Sequence, residues 1–186
     1  MTETIGILLA GGLSRRFGSP KVFAEIDGEL FYEKVYRALA AACDHVVIVS
    51  REEFLPLFPA EFDAITDLTF LAGKGPLAGI CSAMALRPAD RYIVLPCDMP
   101  FIGPQEALAL KRLSTEADVT AVQTEDEKIP LFSVWNGNWA EELKRYIESG
   151  DLSVFGFLSH LKIEWIESSL IHKDKNVFRN INTIII

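Results

Sequence analysis

Short, almost wholly apolar segments alternate with segments of helical spacing through the first half of the chain. An apolar run without a polar face is typical of a strand that is buried on both sides of a sheet. Apolar residues three or four positions apart are typical of helices that pack on such a sheet. The pattern therefore predicts an α/β fold, with a mainly parallel sheet and helices on both faces in three layers.

The second half adds further strands, which we expect to include an antiparallel excursion. Repeats, low-complexity segments and linkers are absent from the sequence, so a single domain is predicted for residues 1–186. The predicted strands are residues 4–9, 45–50, 62–67, 91–97, 119–123, 129–135 and 163–166. The predicted helices are residues 31–42, 75–86, 104–113, 139–148 and 153–161.

Composition excludes several classes of protein. No apolar run approaches the roughly 20 residues that span a bilayer, and residues 1–6 carry no basic region of a secretory signal. The net charge of −8 argues against a nucleic acid partner, because phosphate backbones bind basic surfaces. The three cysteines lack C-x-x-C spacing, which is typical of free thiols in a reducing compartment. We expect a cytoplasmic protein that binds neither membrane nor nucleic acid.

The first predicted strand leads into a loop that is rich in glycine and in positive charge. It contains Gly11, Gly12 and Gly18, and its cations include Arg16 and Lys21. Glycines let backbone N–H groups approach an anion, while arginine forks two oxygens and lysine supplies a mobile charge. The loop matches neither the Walker pattern nor the dinucleotide fingerprint. It predicts a phosphate site, with a solvated turn before a basic helix start as the alternative.

Two more predicted strands lead to carboxylates, Asp67 and Asp98. Ligands of open parallel sheets bind at the carboxyl ends of the strands, where these groups are expected to meet the glycine loop. A magnesium ion on phosphates needs one or two carboxylates. A carboxylate also accepts two parallel hydrogen bonds, which guanine donates from N1 and N2. The alternative for each aspartate is a cap or a turn former.

Four segments carry a more specific pattern: "LAGGLSRRFGSPK" at residues 9–21, "GPLAGI" at 75–80, "CDMPF" at 97–101 and "NINT" at 180–183. Together they resemble the molybdenum cofactor guanylyltransferase family, which has a single-domain, Rossmann-like nucleotidyltransferase fold. The resemblance implies transfer of GMP from GTP to molybdopterin with release of pyrophosphate. It implies Mg²⁺ as cofactor, and other molybdenum cofactor proteins as partners. It further implies a nucleotide-binding half to about residue 105 and an acceptor-binding half after it.

The resemblance also assigns residues. It implies that Arg16 and Lys21 stabilise charge on the phosphates as catalytic residues and that Asp98 is both catalytic and the magnesium ligand. Recognition of guanine by Asp67 is our inference, and the glycines of residues 75–79 fit tight helix packing as well as anion binding. The implied nucleotide-binding residues are Leu9, Ala10, Gly11, Gly12, Lys21, Ser50, Asp67, Gly75, Pro76, Leu77 and Asp98.

The acceptor side is expected to include Asn180 and Asn182, which alternate with apolar residues. On a strand both amides would face one side and could bind a pterin edge or help to hold a metal, with capping as the alternative. Residues 128–135 resemble the segment that lines the acceptor site, with core packing as the alternative. The sequence departs from the family at Pro20 and at residues 184–186, three isoleucines that are expected to form a last strand or an altered C-terminus.

Other functions stay open at this point. A related nucleotidyltransferase that uses CTP, or another phosphorylated acceptor, shares the first loop. A protein that binds GTP without turnover is a second possibility, and an assembly protein is a third, which the clustered charges disfavour.

Overall fold

The computed structural model describes residues 2–12 and 20–182. The strands are β1 (Thr4–Leu9), β2 (Glu25–Ile26), β3 (Glu29–Leu30), β4 (His45–Ser50), β5 (Asp63–Thr66), β6 (Arg91–Pro96), β7 (Val119–Gln123), β8 (Lys128–Asn136) and β9 (Ile163–Glu167). The α-helices are α1 (Phe31–Ala42), α2 (Pro76–Leu86), α3 (Pro104–Leu113), α4 (Ala140–Glu148) and α5 (Val154–Leu158). Short 3₁₀ turns connect several of them, including Lys21–Phe23, Glu52–Leu57, Thr69–Leu71 and Lys175–Phe178.

The large sheet has the strand order β5-β4-β1-β6-β8-β7-β9. All neighbouring pairs are parallel except those that β8 makes with β6 and β7. β8 is therefore the antiparallel excursion that the second half of the sequence predicted. The carboxyl ends of β5, β4, β1 and β6 consequently lie side by side at one edge of the sheet.

Side chains along the strands alternate between two cores, as the pleat of a strand requires. In β6, Tyr92 and Val94 face one side, and Ile93 and Leu95 face the other. α1 and α3 pack on the side of Ile93, while α2, α4 and α5 pack on the side of Tyr92. The three layers with helices on both faces are confirmed.

Most element boundaries agree with the predictions to within one residue, and the exceptions are local. The helix expected at 153–161 is the shorter α5, which Ser153 caps by accepting a hydrogen bond from the N–H of Gly156 at 3.0 Å. The small hairpin β2–β3 was not predicted, although its turn residues Asp27 and Gly28 are an Asp-Gly pair with positive φ angles of 55° and 79°. The strand proposed for residues 184–186 lies outside the described residues.

The segment that contains Asn180 and Asn182 is not a strand, although both residues are exposed and flank buried Ile181, as the alternation predicted. It follows the 3₁₀ turn Lys175–Phe178, and its backbone is held by other contacts described below. No helix in the described ranges combines the length and the apolar character that crossing a membrane requires.

An ion pair at the far edge of the sheet fastens α2 to β5. Arg87 Nε and Nη2 donate to the two carboxylate oxygens of Asp63, each at 2.7 Å, and His45 Nε2 lies 2.8 Å from the same carboxylate. The hydrogen bonds from Arg87 are the main reason that the pKa of Asp63 is lowered. Asp63 is the first residue of β5, so the pair stabilises the edge of the sheet opposite the carboxyl ends of the parallel strands.

Replacing Asp63 by asparagine is expected to lower the free energy of unfolding at neutral pH by about 1–3 kcal/mol. Because folding lowers the pKa of Asp63, its contribution is present above the ordinary aspartate pKa and is lost as pH falls through the lowered value. Urea unfolding between about pH 7 and pH 3 should therefore show a steeper loss of stability in the wild type than in Asp63→Asn. The control Asp126→Asn removes an exposed pair with Lys175 and should cost less than about 1 kcal/mol. Parallel pH profiles would contradict the prediction.

Candidate active site

A cleft of about 690 Å³ opens at the carboxyl ends of β5, β4, β1 and β6. Its walls come from the turn after each of these strands and from the start of α2. Most of the predicted nucleotide-binding residues line it: Leu9, Ala10, Gly11, Gly12, Lys21, Ser50, Asp67, Gly75, Pro76 and Asp98. The structure thus brings together residues that are distant in the sequence. Arg16 and Gly18 lie outside the described residues.

The start of the glycine loop is held by β4. The N–H of Ala10 donates to the carbonyl of Val49 at 2.8 Å, and Ser50 Oγ donates to the carbonyl of Ala10 at 3.2 Å. No described residue has an atom within 4 Å of the position that a Cβ would take on Gly11 or Gly12, so this backbone is open toward the described part of the cleft. A rigid start followed by open backbone suits close approach of an anionic ligand.

Lys21 lines the cleft and connects its own segment with two distant parts of the chain. Its Nζ lies 3.4 Å from Asp98 Oδ2 and donates to Asn182 Oδ1 at 3.0 Å. The backbone N–H of Ile181 donates to the carbonyl of Asp98 at 2.8 Å, which fixes the C-terminal segment against the end of β6. Asn180 is exposed in the same segment. A cation, a carboxylate and an amide therefore share one site.

Asp98 follows β6 in a turn and does not cap a helix, since α3 begins at Pro104 with Gly103 as its N-cap. Its carboxylate is 26% exposed and lines the cleft. Magnesium keeps several waters and is bound by one or two carboxylates together with substrate phosphates. Among residues 2–12 and 20–182, no three His, Cys, Asp or Glu side chains are grouped to hold a metal. The donor set fits a magnesium ion that is held jointly by Asp98 and a nucleotide.

Asp67 lies one residue beyond the end of β5, at the opposite end of the cleft from Asp98. Burial raises the pKa of its carboxyl group, and a hydrogen bond from the backbone N–H of Gly73 partly opposes this. Gly73 has a φ of 75°, a conformation that favours glycine and turns its N–H toward the carboxylate. Asp67 is therefore a half-buried hydrogen-bond acceptor rather than a solvated turn residue.

The structure supports the packing interpretation of residues 75–79 at Gly79, and anion binding at Gly75 stays a prediction. Gly75 caps α2 with a φ of 79°, and Pro76 follows as the first helical residue. A Cβ on Gly79 would lie 2.9 Å from Leu9 Cδ2, so this glycine permits close packing of α2 on β1. The Leu77 side chain is fully buried in the core and does not line the cleft, so any nucleotide contact at this position must come from its backbone.

The segment of residues 128–135, which resembles one that lines an acceptor site, mainly packs in the core. Its side chains Phe132 and Trp135 are fully buried, and Leu131 alone of this segment lines the cleft.

Burial raises the pKa of the Cys97 thiol to about 12, so this neighbour of Asp98 stays protonated at neutral pH and is a poor nucleophile.

Several cleft residues were not predicted from the sequence. Arg51 and Glu53 follow β4, and Thr69 and Gly73 belong to the segment after β5. Their position directly after predicted strands was the available signal, because every such turn in this half of the sheet meets the cleft. Charge and glycine content alone did not separate them from ordinary loop residues.

Comparison with known proteins agrees with this geometry. The model of the MobA-like NTP transferase domain matches residues 6–162. A probable molybdenum cofactor guanylyltransferase of Bacillus licheniformis is 34% identical over 185 residues, which cover 97% of this chain and 92% of the relative. A protein of the same description from Geobacillus sp. (strain WCH70) is 31% identical over 186 residues, which cover 98% of this chain and 95% of the relative.

A solved structure shows the same architecture. Molybdopterin-guanine dinucleotide biosynthesis protein A from Archaeoglobus fulgidus has a TM-score of 0.79 and 25% identity, with 96% of this chain and 92% of that one covered. A nucleotidyl transferase from Methanothermobacter thermautotroptrophicus, at 16% identity, shares the fold with a TM-score of 0.73 over 97% of this chain and 92% of that one. The chain therefore belongs to the MobA-like NTP transferase family, whose members are nucleotidyltransferase enzymes.

Proposed function

We propose that this nucleotidyltransferase transfers GMP from GTP to the terminal phosphate of molybdopterin and releases pyrophosphate. The observation that carries the proposal is a cleft lined by Lys21, Asp98 and the open glycine backbone, in which Lys21 contacts both Asp98 and Asn182. The names of the relatives, probable molybdenum cofactor guanylyltransferases, support the choice of substrates.

The order of the strands suggests how GTP lies in the cleft. Gly11, Gly12 and Lys21 follow β1, and Asp98 follows the neighbouring β6, so the triphosphate belongs over these two strands. Asp67 follows β5, on the other side of β4, which suits the guanine base. The half-buried carboxylate of Asp67 would accept hydrogen bonds from N1–H and the N2 amine of guanine, a pair of donors that cytosine lacks.

The reaction needs positioning and charge stabilisation more than a protein nucleophile. An oxygen of the acceptor phosphate attacks the α-phosphorus, and the bond from that phosphorus to the bridging oxygen of the β-phosphate breaks as pyrophosphate leaves. Lys21, with Arg16 as a proposed second cation, stabilises the negative charge on the phosphates. Asp98 would hold Mg²⁺, which supplies further neutralisation of phosphate charge when it is bound. Cys97, as a protonated buried thiol, takes no part.

The acceptor is placed beyond Asp98, where the C-terminal segment crosses the end of β6. Asn182 accepts a hydrogen bond from Lys21, which lines the cleft, and exposed Asn180 precedes it. Leu131 adds an apolar side chain to the cleft from β8, the strand next to β6. Amide groups beside an apolar surface suit a flat heterocycle with polar edges. We extend the proposal to a nucleotide-binding half that ends near residue 105 and an acceptor-binding half that follows it.

The test is a side-by-side assay of GTP and CTP with molybdopterin as the acceptor and pyrophosphate release as the readout. We expect magnesium-dependent release with GTP that exceeds release with CTP. Asp67→Asn should narrow this difference, since asparagine presents one acceptor oxygen in place of the carboxylate pair. Faster use of CTP would overturn the base assignment. GTP binding without any release would instead favour a binding protein without turnover.

A further inference from the structure

Arg51 is a cation on the wall of the cleft that the proposed reaction does not use. It directly follows Ser50, the last residue of β4, and it lines the cleft together with Glu53. Its Nε donates to Glu53 Oε1 at 2.5 Å, and its guanidinium carbon lies 5.9 Å from the centre of the Phe54 ring. The side chain is 37% exposed, so the guanidinium is held from one side and open to solvent on the other.

The contact with Glu53 leaves the outer edge of the guanidinium available. An arginine carries five N–H donors in a planar fork. Within the part of the chain that the structure describes, Nη1 and Nη2 of Arg51 make no hydrogen bond. Glu53 therefore fixes the plane of the guanidinium, and the two terminal nitrogens are free to donate to a ligand.

The topology places this fork at the base end of the cleft. Arg51 leaves β4, which lies between β1 with the glycine loop and β5 with Asp67. Neighbouring strands are about 4.8 Å apart, so the end of β4 is about 10 Å from the end of β6, where Asp98 and the triphosphate would lie. A nucleotide that extends from Asp98 toward Asp67 must pass or end at Arg51.

Guanine offers two different edges to such a site. Its N1–H and N2 amine are donors that suit Asp67, while O6 and N7 are adjacent acceptors that an arginine fork matches with two parallel hydrogen bonds. Adenine presents an amine in place of O6, which would oppose the guanidinium. Cytosine has no N7. Arg51 therefore supplies a reason for guanine selection that is independent of Asp67.

We propose that Arg51 reads the O6 and N7 edge of guanine and that Glu53 is the positioning residue that orients it. This inference rests on the proposed use of GTP. Arg51 and Asp67 would contact opposite sides of the same base, so each accounts for a separate part of the preference for guanine.

The experiment compares binding of GTP with that of 7-deaza-GTP, in which N7 is replaced by a C–H group. The wild type should bind 7-deaza-GTP about tenfold more weakly than GTP in calorimetric titration. Arg51→Met should weaken GTP binding by about the same factor and bring the two nucleotides to within about twofold of each other. Arg51→Lys keeps the charge but lacks the fork, so it should also lose the difference. Arg145→Met, an exposed arginine of α4, should retain it.

Two further measurements separate recognition of the O6 and N7 edge by Arg51 from a structural role of Glu53 and from the contact proposed for Asp67. Glu53→Gln should reduce the difference between GTP and 7-deaza-GTP without changing the melting temperature, a result that a merely structural Glu53 would not give. ITP lacks the N2 amine, which is proposed to contact Asp67 and not Arg51. Wild type and Arg51→Met should therefore bind ITP more weakly than GTP by the same factor. If Arg51→Met keeps the full 7-deaza penalty, the inference is wrong although GTP remains the substrate. If the wild type does not bind GTP at all, the proposed function fails first.

Discussion

Replacing Asp98 by asparagine is expected to lower the rate of pyrophosphate release from GTP by about 100-fold or more, because the variant loses the carboxylate proposed to hold magnesium beside the phosphates. The fold should remain intact. The backbone carbonyl of Asp98, which accepts from the N–H of Ile181 at 2.8 Å, is unchanged by the substitution. Among residues 2–12 and 20–182, the carboxylate's only hydrogen-bond partner is Lys21 at 3.4 Å, a contact that an amide oxygen can replace in part.

The measurement is a magnesium titration of pyrophosphate release, combined with a thermal melt of each protein. Wild type should show saturable activation by magnesium, and Asp98→Asn should not be restored by excess metal. Asp126 lies on the exposed turn between β7 and β8. Its replacement by asparagine is the matched control, and this variant should keep wild-type kinetics. An Asp98→Asn protein that is unfolded, or one that retains normal magnesium activation, would assign Asp98 a structural role instead.

Replacing Lys21 by methionine is expected to weaken GTP binding by about 10- to 100-fold, the loss that removal of a charged hydrogen-bond donor to phosphate produces. The Lys21 side chain is 15% exposed and lines the cleft together with Gly11 and Gly12. Without ligand it is held by Asp98 and Asn182, so its ammonium group is already in place before a nucleotide arrives. Methionine keeps much of the apolar stem and removes only the charge.

Lys21 also fastens the C-terminal segment through its contact with Asn182, so its role in GTP binding must be separated from this structural role. Asn182→Ala breaks that contact but keeps the cation, so it should leave GTP affinity little changed while impairing transfer to the acceptor. Lys173→Met removes an exposed lysine and controls for the loss of one positive charge. Unchanged GTP affinity in Lys21→Met, with a lower melting temperature, would show that the lysine only holds the segment.

The fold was largely predictable because apolar spacing reports how many sides of an element are buried. The six-residue strand β4 is almost wholly buried and was identified from an apolar run. The helix α1 buries Val35, Ala38 and Leu39 at helical spacing, and its bounds were also identified. Elements that bury little gave weaker signals. The two-residue strands β2 and β3 escaped detection, and α5 was predicted too long because apolar residues continue to Leu161 beyond the end of the helix.

The site was partly predictable for the same reason. Once β1, β4, β5 and β6 were identified as parallel strands, the residues after them had to share one edge of the sheet. Asp67 and Asp98 were found this way, but Arg51 and Glu53 were not, since nothing local distinguishes a cleft-lining turn from a solvated one. Asn180 and Asn182 do flank buried Ile181, but their segment is fixed by the contacts of Ile181 and Lys21 rather than by a sheet ladder.

Local pattern was enough to establish the alternating strands and helices, the two-sided burial of the central strands and the resemblance to guanylyltransferases. Only the tertiary structure decided that Lys21 meets Asp98, 77 positions away, and Asn182, 161 positions away. It also placed Arg51 and Glu53 in the wall of the cleft, where the two side chains are joined by a hydrogen bond. The physical reason is that strand order sets which chain ends are neighbours, and this order depends on how the whole core packs, which no short stretch of residues encodes.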